Sequence, residues 1–147
     1  ACGGYIAGSR ALVEPLRHWA PGFLYSVGMA AAVAGAALAA LAKMQQEPER
    51  VGTLQARGAL FLELAQKAGI DTGPRTGLAV IPAITGSSLR AARVSNALFE
   101  RGINVQPILY PAVPEKSARL RFFISSQHTE SQIRETVAAL AEELARH

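Results

Sequence analysis

Apolar positions along the chain follow a helical period in some stretches and a strand period in others. From Val51 to Ala68 the period is helical: Val51, Leu54, Gly58, Phe61, Ala65 and Ala68 share one face, and Gly69 supplies a stop. Asp71 to Gly77 reads as a turn or linker, followed by an apolar strand over Leu78 to Ile84 in which Pro82 indicates an edge or a bulge. Ser87 or Ser88 can cap a helix running to about Arg101, with Gly102 as its end. Ile103 to Leu109 reads as a further strand, and Tyr110 to Pro114 as a stiff turn. Between Arg119 and Ser125 the period becomes two, so Leu120, Phe122 and Ile124 face one way and Arg119, Arg121 and Phe123 the other. The last helix opens on a capping box, Thr129-x-x-Gln132, and its buried stripe is Ile133, Val137, Leu140 and Leu144. From residue 78 the order is strand, helix, strand, strand, helix, a small α/β sandwich led by the helix from Val51.

The front of the chain is patterned differently. Gly3 to Ser9 reads as a short strand between glycine breaks, and Leu12, Val13, Leu16 and Trp19 mark a short amphipathic helix stopped by Pro21. A long alanine-rich helix follows from near Gly28 or Met29 and is interrupted at Glu47-Pro48. Residues 1 to 42 carry only three charged side chains, Arg10, Glu14 and Arg17, out of 26 in the whole chain. This quarter is written to be buried.

Composition narrows the function classes. Gly22 to Ala42 holds no charge and is long enough to span a bilayer, but nine of its 21 residues are Ala and three are Gly. That composition suits close helix contact inside protein better than lipid, so no membrane span is expected. The net charge of +4 comes mostly from scattered arginines, 12 Arg to 3 Lys, with no basic run beyond two residues, which argues against a nucleic-acid partner. A single cysteine, Cys2, rules out a disulfide framework within the chain and fits a reducing, cytoplasmic setting.

Several short motifs occur in one order: Gly3-Gly4-Tyr5-Ile6-Ala7-Gly8, Phe23-Leu24-Tyr25-Ser26, Gly102-Ile103-Asn104-Val105, Tyr110-Pro111-Ala112-Val113-Pro114, Ala118-Arg119-Leu120-Arg121 and Ser125-Ser126-Gln127-His128-Thr129. Together they resemble the C-terminal part of the α-oxoamine synthases, the family of glycine C-acetyltransferase, serine palmitoyltransferase and amino-oxononanoate synthase. The resemblance implies the fold of a fold-type-I pyridoxal-phosphate transferase, with the small C-terminal α/β domain preceded by a long interface helix. Residues 1–46 would be the end of the large cofactor domain and the start of the interdomain helix, and residues 47–147 the small domain. It implies a homodimer that condenses glycine, alanine or serine with an acyl thioester, on coenzyme A or a carrier protein, and releases carbon dioxide. The Tyr110-Pro111 turn, with Leu109 where an arginine often stands, leans away from the amino-oxononanoate branch.

For single residues the same resemblance implies the following. Arg121 falls on the arginine that holds the substrate carboxylate, a role suited to a permanently charged fork, whereas Arg119 on the same face, roughly 7 Å away, is a structural partner. The plain alternative for Arg121 is an exposed arginine in a surface ion pair. Ser26, with the backbone of Gly28, lies where the family holds the cofactor phosphate, the alternative being that Ser26 caps the next helix. His128 closes a small-small-His motif and is read as a helix-start residue. His18 and His147 have no evident partners. The Schiff-base lysine is expected just upstream of Ala1, because Lys43 and Lys67 lie on helix surfaces and Lys116 in a turn. On that expectation the chain holds no catalytic residue, does not bind pyridoxal phosphate alone and is inactive in isolation, and no metal site is expected. The rival reading is a non-catalytic α/β association module without a cofactor.

Overall fold

The computed structural model describes residues 3–74 and 79–147, and its contacts divide the chain at Pro48 into two compact units. Among the described residues, every buried one lies in the second unit, Glu49–His147. Helix α4 (Glu49–Lys67) buries Gly58, Phe61 and Ala65, as its period predicts, while Val51 stays 39% exposed. Gly69, at φ +71°, closes it, and the Ile70 amide reaches back to the Ala65 carbonyl. Asp71 turns the chain by accepting the Gly73 amide on its own carboxylate. The predicted strand start at Leu78 lies outside the described residues.

Three strands form an antiparallel sheet in the order β1 (Val80–Ile84), β3 (Arg119–Phe123), β2 (Gln106–Ile108). Both edge strands contain a proline, Pro82 and Pro107, and the central strand has none, because a residue without an N–H cannot serve two ladders. The strand predicted over Ile103–Leu109 shortens to three residues. Helix α5 (Ser88–Glu100) joins β1 to β2; Ser87 caps it by accepting the Arg90 amide, and Gly102 at φ +79° follows its end. Helix α6 (Glu130–Arg146) begins with the capping box, Thr129 and Gln132 each satisfying the other's backbone.

Alternation sets the layers. Ile81, Ala83, Leu120 and Phe122 point to one face, where α4, α5 and α6 pack, and the rings of Phe61 and Phe122 lie 4.9 Å apart at its centre. Among the described residues no helix of this unit covers the opposite face, which shows Val80, Phe123 and the arginines of β3. Glu143, one turn from the buried stripe of α6, is buried too; Arg101 and Arg146 donate to it at 2.9 and 3.1 Å.

The first unit comprises α1 (Arg10–Trp19), α2 (Pro21–Leu24) and α3 (Ala31–Gln46). Gly3–Ser9 is not the predicted strand: among the described residues it joins no ladder, and its one backbone engagement is at its end, where the Ser9 carbonyl accepts the Leu12 and Val13 amides at the start of α1. The alanine helix starts at Ala31, slightly later than its composition suggests, and ends just before Glu47-Pro48. No residue of 3–48 is buried. No helix among the described residues is long and apolar enough to cross a membrane.

Candidate functional site

Arg121 sits in the middle of the open sheet face. Its cross-strand neighbours are Pro82 on β1 and Gln106 on β2, neither of them an acid. Its guanidinium lies over the Phe123 ring, 5.2 Å from the centroid, and makes no ion pair among the described residues. The surface-ion-pair alternative for Arg121 is therefore not what the structure contains. Arg119, on the same face, is committed: its Nε donates to the Ser117 carbonyl at 2.8 Å.

An open cleft of about 760 Å³ begins beside Arg121. Ladder pairing of β2 starts only at Gln106, so Phe122 and Phe123 have no partner on that side, and the cleft follows this gap. Phe61 and Ile133 line it with apolar surface; Asn104, Gln106, His128 and Thr136 add polar groups. Most of these are already engaged. Gln106 donates to Asn104, and the Ser125 amide donates to His128 Nδ1 at 3.1 Å, which fixes the ring in the turn before the Thr129 cap. Glu135 accepts from Ser131. Arg101 is held by Glu143 and Glu142, whose hydrogen bonds raise its already high pKa, so it ties α5 to α6. Among the described residues that line the cleft, Arg121 remains as a cation with unoccupied donors.

Ser26 and Gly28 belong to the first unit. Ser26 does not cap α3: that helix begins after Ala30, and the Ser26 hydroxyl donates to the Phe23 carbonyl at 3.1 Å. Gly28 takes φ +83° in the loop ahead of α3. Gly3 lies against this loop, since a Cβ there would meet the Met29 methyl at 2.6 Å. Lys43 pairs with Glu47 and Lys67 with Glu63, both at 2.5 Å along their own helices. His147, expected to lack a partner, stands 3.8 Å from Glu143 because it is one helical turn further on. Among the described residues no three His, Cys, Asp or Glu side chains could hold a metal.

Residues 1–140 match the family model for aminotransferase class I and II. The chain belongs to that family. It is 39% identical over 139 residues to the 8-amino-7-oxononanoate synthase of Symbiobacterium thermophilum, covering 95% of this chain and 35% of that protein. The Bacillus pumilus 8-amino-7-oxononanoate synthase is 36% identical, with 96% and 36% covered. In structure the chain resembles the 8-amino-7-oxononanoate synthase of Francisella tularensis, at a TM-score of 0.75 and 24% identity, with 94% of this chain and 40% of that one covered. These likenesses bear out the α-oxoamine synthase resemblance and place the fold within the fold-type-I transferases. A serine palmitoyltransferase structure is matched as well, at a TM-score of 0.78 and 20% identity, with 91% of this chain and 34% of that one covered, so both the amino-oxononanoate and the palmitoyltransferase branches stand among the likenesses. The chain spans about a third of the length of the curated relatives it matches.

Proposed function

We propose that this chain is the C-terminal part of a pyridoxal-phosphate-dependent α-oxoamine synthase, and that Arg121 holds the carboxylate of its amino-acid substrate. The carrying observation is the state of Arg121: exposed in the centre of the sheet, flanked by Pro82 and Gln106, and stacked on Phe123 with its N–H groups unspent. A guanidinium presents parallel donors that match two carboxylate oxygens and stays charged at any physiological pH. The substrates of the whole protein are an amino acid (glycine, alanine or serine) and an acyl thioester on coenzyme A or a carrier protein.

The loop ahead of α3 suits a cofactor phosphate. The backbone amides of Val27 to Ala30 have no backbone acceptor among the described residues, and nothing stands within 4 Å of the place a Gly28 Cβ would take, so the loop is open to a ligand. The hydroxyl of Ser26 joins only if its proton swings away from the Phe23 carbonyl. Pyridoxal phosphate, when bound, supplies the electron sink for the carbanion that decarboxylation requires. Arg121 fixes the substrate by its carboxylate, and the open face of β3 presents it. The exposed aromatic surface of the first unit, with Trp19 and Tyr25 each 82% exposed, supports burial against the rest of the protein and a second copy of it in a cytoplasmic homodimer.

The test is Arg121→Lys in the whole protein. A point charge replacing a fork should raise the amino-acid KM by about tenfold or more and leave the KM for the acyl thioester near its starting value. An unchanged amino-acid KM removes Arg121 from the site.

A further inference from the structure

We infer that Phe123 is a positioning residue for Arg121: its ring holds the guanidinium over its face without using any of the donors that a substrate carboxylate needs. This rests on the role proposed for Arg121. Strand alternation puts Phe123 on the same face, two residues on, and the guanidinium carbon lies 5.2 Å from the ring centroid. Phe123 is not a core residue; it is 60% exposed, whereas Phe122, its neighbour in sequence, is 6% exposed and packs on Phe61.

The chemistry of the pair explains why an aromatic serves here. All the N–H bonds of a guanidinium lie in its plane, and a carboxylate approaches along the edge. An aromatic face attracts the cation from above through the ring quadrupole. A glutamate in place of Phe123 would fix the arginine equally well but would occupy the same edge as the substrate. Cross-strand positions take none of these donors either: they are Pro82, which has no side-chain acceptor, and Gln106, to which Arg121 does not donate. Phe123 thus removes rotamers from a long, flexible side chain before the substrate arrives, and part of the ordering cost of binding is met in advance.

Two measurements test this with Phe123→Leu and Phe123→Tyr, the first removing the ring and the second keeping it. In the 15N-labelled chain, the Arg121 Nε–Hε resonance should lie upfield of the other arginines through the ring current. It should return to the ordinary range in Phe123→Leu and stay shifted in Phe123→Tyr. In the whole protein, Phe123→Leu should raise the amino-acid KM about threefold with kcat held, and Phe123→Tyr should restore it. An Arg121 resonance that ignores Phe123→Leu overturns the positioning role. So does an amino-acid KM that responds to Arg121→Lys but not to Phe123→Leu. If Arg121→Lys also leaves KM unmoved, it is the carboxylate role of Arg121 that fails, and the positioning role falls with it.

Discussion

At the scale of single residues, commitment separates the ionisable groups. Arg119, Arg101 and Arg90 each donate to a defined backbone or carboxylate oxygen, and Arg121 does not. Strand alternation alone puts Arg119 and Arg121 on one face; the contacts show which is free. Glu115 is a committed acid: it accepts the amide and hydroxyl of Ser88 at the start of α5, at 2.7 and 2.5 Å. Those hydrogen bonds hold its carboxyl below the ordinary value of 4.5. A lowered folded-state pKa means that the charged form is favoured by folding. Its contribution is complete above the ordinary carboxylate range and disappears as pH falls through the folded value. We therefore expect Glu115→Gln to lower the melting temperature at neutral pH and the gap to close as the pH drops below 4.5. A gap independent of pH would remove Glu115 from this role.

At the scale of elements, the helices of the second unit derive stability from buried stripes and designed ends, and α3 from neither. Leu140 on α6 is fully buried, and Leu38 on α3 is 68% exposed. Leu140→Ala should cost about 3 kcal/mol in chemical denaturation of this chain, whereas Leu38→Ala should cost close to nothing because it leaves no cavity. Thr129→Ala removes the acceptor of the Gln132 amide and should cost about 1 kcal/mol, read the same way. The capping box, the prolines and the strand alternation were legible because each is a local signal. The shortness of β2 was not, because ladder length depends on where the partner strand lies. Glu143 was also hidden: a carboxylate beside a buried stripe reads as exposed until Arg101, from another helix, arrives next to it.

At the scale of the whole molecule, the two units differ in what they bury. Residues 3–48 form three helices with no buried side chain among them, and the core of the described residues lies in Glu49–His147. Protection against exchange follows buried, packed hydrogen bonds. Amide exchange on this chain should show strong protection confined to α4, α5, α6 and the sheet, with α1 to α3 exchanging near the rate of a frayed helix. Equal protection in both units would mean that the first folds on its own contacts. The chain alone should also yield no specific lysine adduct after pyridoxal phosphate and borohydride, since Lys43, Lys67 and Lys116 are all exposed and none lines the cleft, so nothing selects one of them. A single dominant labelled lysine by mass spectrometry would contradict this.

By itself the sequence determined the order of helices and strands in the second unit, their caps, the face on which Arg121 lies and the family motifs, because period, turn chemistry and capping act over a few residues. The tertiary structure alone decided that Gly3–Ser9 joins no sheet among the described residues, that β3 is central, and that Ser26 is turned to Phe23. It also decided that Arg121 rests on an aromatic ring instead of an acid. Each of these depends on what a distant part of the chain brings alongside, and hydrogen bonds and ion pairs form with whatever partner folding supplies.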